Sequence, residues 1–389
     1  MSSATEVPRD DALPEADALP GAPHPRFAEQ VFGHDAAEAA LLDAIGSGRL
    51  HHAWLLTGPK GIGKASFAWR AARALLTLPT EDPGPSLFGD PEPLAAPTSL
   101  DLDPDHPVAR RVAALSEPRL FLLRRPYDAK LGRFKQDIPV DAARGLKGFF
   151  SMAAMDGGRR VVIVDAADEM NANAANALLK VLEEPPADTV MFLICHAPSK
   201  LLPTIRSRCR TLRMAALSPE DLGAALAQAT GAPLPEAEIQ SLLPLAEGSV
   251  GQALSLRDAG GPEAYESLLR LLGDLPRLDR QAMAALADSA SARGAEGRLD
   301  LLLSLTEVFL HRLARTGATG AAPALASPAE AELLTRLAPH PRAGQAWATA
   351  HAELVPRVRA GRAVNLDASM LLLDMFHGLQ SVASGPAAA

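Results

Sequence analysis

Seven residues constrain this chain more than any others: Gly58-Pro59-Lys60-Gly61-Ile62-Gly63-Lys64, set between an apolar run, Ala53 to Thr57, and a segment of helical period from Lys64 to about Leu76. Strand, glycine-rich turn and helix in that order make a phosphate loop. The glycines let backbone N–H groups converge on phosphate oxygens, the helix N-terminus adds positive potential, and an ammonium at position 64 can reach the outer phosphates. Gly58, Gly61, Gly63 and Lys64 are therefore candidate phosphate binders, the plainer alternative being a glycine turn that only starts a helix. The pattern's last position, a hydroxyl that holds Mg²⁺, is filled by Ala65. Ser66 points about 100° away around the helix and does not replace it.

A second apolar run, Val161 to Val164, ends in Asp165, the candidate acid for Mg²⁺ and equally a cap for the strand end. Hydrolytic members of this class commonly follow that aspartate with a glutamate, and here the next residue is Ala166, with Asp168 and Glu169 too far along to serve. The expectation is a loop that holds ATP or ADP without turning it over, with Mg²⁺ only where nucleotide binds.

Further elements alternate. Helices are expected from Asp35, from Val108, from Asp141 through Phe149 and from Ala174 to Leu182. Strands are expected at Leu120 to Leu123, Arg160 to Val164 and Val190 to Cys195. Continuous apolar strands separated by helices predict an α/β domain with a parallel sheet covered on both faces. At Ser218-Pro219-Glu220-Asp221 a capping residue, a first-turn proline and an acid open a wholly helical region. The expected divisions are an acidic, disordered tail over 1–25, the α/β domain over 26–216 with a proline-rich surface insertion at 80–107, a helical lid over 217–276, a helical domain over 277–383 and a short tail at 384–389.

A net charge of −8 disfavours a free-standing binder of nucleic acid. Between His106 and Arg160, however, twelve Lys or Arg face five acids, a stretch that either faces DNA or is simply solvated surface. Cys195 and Cys209 alone cannot form a four-ligand zinc site, and no zinc is expected. The spacing of those two cysteines suggests no disulfide frame, which fits a reducing cytoplasm, and no segment approaches the ~20 apolar residues of a membrane span, so no membrane partner is expected.

Four segments together resemble the bacterial clamp-loader branch of the AAA+ ATPases: Ser47 to Gly58; Asp165 to Asn171; Asn176-Ala177-Leu178-Leu179-Lys180-Val181-Leu182-Glu183-Glu184-Pro185-Pro186; and Leu201-Leu202-Pro203-Thr204-Ile205-Arg206-Ser207-Arg208-Cys209. The resemblance implies a RecA-like AAA+ P-loop domain, a small helical lid and an all-α collar. It also implies that Arg208 is a catalytic arginine finger, reaching in trans to the ATP site of a neighbouring γ or τ subunit. Gly251 stands where hydrolysing relatives carry a lid arginine, and His196 falls near the first sensor position or serves as a surface cap. With Ala65, Ala166 and Gly251 together, the resemblance implies a non-hydrolysing stator of a hetero-oligomer with γ/τ and δ subunits. Such an assembly acts on a sliding clamp and primer-template DNA. The alternative is a self-sufficient γ/τ-like ATPase motor using Lys64 and Asp165.

Overall fold

The computed structural model describes residues 14–19, 22–79, 97–151, 158–292, 294–295 and 297–385. The expectations for 1–13, 20–21, 80–96 and 386–389 lie outside the described residues. Contacts divide the chain into two compact units, one comprising residues up to Pro233 with Gly248–Gly251, the other Leu234–Glu247 with Gln252 onward.

The first unit holds α1 (Asp35–Gly46), β1 (Ala53–Thr57), α2 (Lys64–Thr77), α3 (Pro107–Ala113), β2 (Leu120–Arg124), a short hairpin of β3 (Tyr127–Asp128) and β4 (Arg133–Phe134), α4 (Val140–Ser151), β5 (Arg160–Asp165), α5 (Ala172–Glu183), β6 (Thr189–Cys195), α6 (Pro203–Arg206), β7 (Arg210–Arg213) and α7 (Pro219–Thr230). Five strands form one parallel sheet in the order β2-β5-β6-β1-β7. Because successive side chains point to opposite faces, each apolar run supplies two cores. Trp54, Leu56, Val161, Ile163, Phe192 and Ile194 pack under α1, α2 and α3. Ala53, Leu55, Val162, Val164, Met191 and Leu193 pack under α4, α5 and α6.

Two sequence expectations change. The 1–25 tail is not wholly a tail: Glu15 and Asp17 are drawn in by Arg124, with Arg26 also holding Glu15, because these acids find cations at the sheet edge. The 80–107 insertion likewise returns to the body at its far end. Leu100 is fully buried, and Asp101 joins Glu38 in holding Arg70, itself largely buried, on α2. Half of the basic stretch also proves paired. Arg110, Arg111, Arg119, Arg124, Arg125 and Arg144 all meet carboxylates.

The second unit contains α8 (Glu236–Ala246), most of α9 (Val250–Asp258), α10 (Gly261–Leu272), α11 (Arg280–Asp288), α12 (Arg298–Thr319), α13 (Pro328–Leu337), α14 (Pro341–Ala363) and α15 (Ala368–Ala383), with no strand among its described residues. Its core carries one buried charge network: the Arg312 Nε and the Tyr265 hydroxyl each donate to Glu330 Oε1 at 2.6 Å. Helices α12 and α14 touch backbone to backbone, since a Cβ on Gly317 would stand 2.6 Å from the Gly344 Cα. Among the described residues no helix is long and apolar enough to cross a membrane.

Phe192 lies at the centre of β6 with no exposure. Phe192→Ala should cost about 3–5 kcal/mol of unfolding free energy, read by urea titration. Glu117 is buried between α3 and β2. Burial alone would raise its carboxyl, but hydrogen bonds from Arg119 and Arg111 outweigh that and hold it below the usual range. Its stabilising contribution is therefore complete above the ordinary glutamate pKa and is lost as pH falls through the lower, folded value. Glu117→Gln should flatten that part of the acid limb in thermal melts.

Candidate functional site

The loop hangs from the C-terminal end of β1, where the sheet order places β1 between β6 and β7, the edge at which α/β sheets take ligands. Gly58, Gly61 and Gly63 all have positive φ, at 148°, 78° and 100°. A Cβ on Gly58 would lie 2.2 Å from the Met214 carbonyl oxygen, so only glycine leaves room there. Gly63 then hands the chain into α2 from a left-handed conformation.

Lys64 is 2% exposed, and its ammonium donates to the carbonyls of Gly58, at 2.7 Å, and Pro59. Burial brings it down to about 8, against the pull of Asp165 and Asp168. At the end of β5, burial pushes the Asp165 carboxyl up to about 7, with Asp17 and Glu169 adding to the effect. Asp168 has a different task. Its two oxygens accept from the backbone N–H groups of His196, at 2.9 Å, and Ala197, at 3.0 Å, fixing the turn after β6. Burial and the nearby Lys64 keep the His196 imidazole neutral well below its usual range. The predicted loop glycines, Lys64 and Asp165 thus meet at one sheet edge, with His196 beside them.

Sequence reasoning missed what covers the loop. The Ser249 hydroxyl donates to the Lys60 carbonyl at 2.9 Å, and the Gly251 N–H donates to the Gly61 carbonyl at 3.1 Å. A Cβ on Gly61 would stand 2.4 Å from the Ser249 oxygen. Gly251 is therefore more than a missing arginine, because its bare backbone sits on the loop. These residues fit Mg²⁺-nucleotide poorly as arranged. Ala65 offers no side-chain oxygen, the lysine is spent on its own loop, and burial raises the acid so that its charge is only partly formed near neutrality.

Arg208 is elsewhere. It precedes β7, whose Arg210 pairs in register with Trp54 near the start of β1, so it lies at the strands' N-terminal edge. At ~3.3 Å per strand residue the phosphate loop is on the order of 13 Å further along from Trp54. Arg208 is 38% exposed, and its guanidinium donates to the Thr204 carbonyl at 3.1 Å and meets Glu183 Oε1 at 3.0 Å. Arg210 instead stacks over Trp54, 4.8 Å from the ring centre. Cys209 packs against the core and burial pushes its thiol up to about 12, which removes it as a nucleophile.

A parallel sheet of this order, a phosphate loop after its first strand and an acid at the end of β5 define a P-loop domain of the AAA+ class. A protein-family model described as DNA polymerase III, delta subunit, matches residues 104–218. The DNA polymerase III subunit delta′ of Pseudomonas aeruginosa is 36% identical over 255 residues, covering 65% of this chain and 70% of that protein. The delta′ subunit of Bacillus subtilis is 32% identical, with 46% of this chain and 47% of that protein covered. The gamma/tau subunit of Mycobacterium tuberculosis is also 32% identical, over 69% of this chain and 44% of that protein. The chain belongs to the DNA polymerase III delta′ family of AAA+ clamp-loader proteins.

The closure over the loop leaves no room at Gly61, where φ is 78°. Gly61→Ala should lower stability by about 1–3 kcal/mol, measured as a shift of the denaturation midpoint.

Proposed function

We propose that this protein is the delta′ subunit of a DNA polymerase III clamp loader. It acts in the cytoplasm as a stator in a hetero-oligomer with γ/τ and δ subunits that loads a sliding clamp onto primer-template DNA at the expense of ATP. In this reading Arg208 is the catalytic group it contributes, an arginine finger given in trans to a γ/τ neighbour. The observation that carries the proposal is the placement of Arg208, partly exposed and at the opposite edge of the sheet from its own loop. A guanidinium there has no phosphate of its own to serve. Its fixed charge and planar donors suit the charge that develops on a transferring phosphoryl group.

The chain's own loop supports the same reading. With Ala65, Ala166 and Gly251 in place of the three groups that hydrolysis uses, ATP or ADP reaching Gly58, Gly61, Gly63, Lys64 and Asp165 would be held without turnover. The self-sufficient motor keeps only the loop glycines, Lys64 and Asp165 in its favour, and no observation prefers it.

In a reconstituted loader, Arg208→Ala should slow hydrolysis at one neighbouring site by ~10³ to 10⁵ while assembly, read by gel filtration, is unchanged. Unaltered turnover at every site would sink the trans role, and brisk ATP cleavage by the chain alone would restore the motor.

A further inference from the structure

The acidic segment ahead of the first helix reaches the residue that caps the phosphate loop. The Asp17 side chain is 1% exposed, paired with Arg124, and its other oxygen lies 3.1 Å from His24 Nε2. Glu15 takes Arg26 Nη1 at 2.8 and 2.6 Å and Arg124 Nη2 at 2.8 Å. His24 is itself packed edge-on against Trp69 of α2, ring centres 5.7 Å apart. Arg124 closes β2 and stands opposite Asp165 in the sheet register, so these pairs carry the Asp17 carboxylate to the edge where the loop opens. Its charge is one of those that raise Asp165.

Two residues further on, Leu19 Cδ1 lies 3.0 Å from the point where a Cβ on Gly251 would be, and Gly251 is the residue whose N–H is bonded to Gly61. Residues 15–19 therefore run from the end of β2 to the cap on the loop. They bring a carboxylate near Asp165 at the end of β5, and an apolar side chain to the residue that caps the loop.

We propose that residues 15–19 form a strap across the approach to this chain's phosphate-loop site, so that ATP or ADP must displace Asp17 and Leu19 to enter. The strap is fastened by Arg124 and His24 and by the Leu19 contact, and none of these depends on a partner chain. The protein consequently enters an assembly with its own nucleotide site covered from within. A binding-competent state populated ~1% of the time weakens apparent affinity ~100-fold.

The test is equilibrium binding of a fluorescent ATP analogue with Mg²⁺ to the full chain, with folding of every variant checked by thermal melting. Asp17→Ala combined with Leu19→Ala should bind about 10- to 100-fold more tightly than the unaltered protein. Adding Lys64→Ala should remove the gain. Arg124→Gln, which loosens the fastening while leaving both strap residues in place, should move affinity in the same direction. Equal affinity with and without the strap residues overturns the proposal, whether both proteins bind or neither does. So does nucleotide binding to the unaltered chain with no rise in hydrogen exchange over residues 14–19. Arg208 takes no part in these measurements, so their outcome is separate from that of the trans role.

Discussion

The Lys64 ammonium, almost wholly withdrawn from water at the first turn of α2, has to be met by oxygen, and the loop before it is shaped by that need. A buried charge without partners costs several kcal/mol, so the carbonyls of Gly58 and Pro59 turn inward to receive it. Carbonyls turn inward only if the backbone departs from the ordinary regions, which is why three glycines at positive φ stand between β1 and α2. The same bend brings the Lys60 and Gly61 carbonyls outward, where Ser249 and Gly251 take them. One cation thus dictates the curvature of the loop, and the curvature dictates what can cover it.

The two edges of the sheet have different chemistry as a result. At the C-terminal edge cations and acids are sequestered. Lys64 is turned on its own backbone, Asp165 is raised toward neutrality by burial, and Asp168 is committed to the turn after β6. At the N-terminal edge Arg208 is held by the Thr204 carbonyl and by a partly exposed pair with Glu183, the latter worth little in high dielectric.

Much of this could be read from residues in order, because its causes are local. The run from Val161 to Val164 alternates between two cores, the prolines after Glu184 stop a helix, and the glycine loop needs no distant partner to be recognised. What was missed depends on residues far apart. Strand β7 carries Arg210 and Arg213 and buries only Leu212, as an edge strand with charged residues does, so it has no apolar run to announce it. The ordering of Glu15 and Asp17 rests on Arg124, more than a hundred residues later, and nothing in the composition of an acidic, proline-bearing stretch foretells that pairing. Gly251 was read for the side chain it lacks, whereas its role comes from how closely its backbone approaches Gly61.

In the helical unit, Gly317 and Gly344 let α12 and α14 meet with nothing between their main chains. Side chains at a helix seam can repack and absorb a displacement, but two backbones in contact have no such slack. A push on one of these rods must therefore be passed to the other undiminished, so the pair behaves as a single stiff beam.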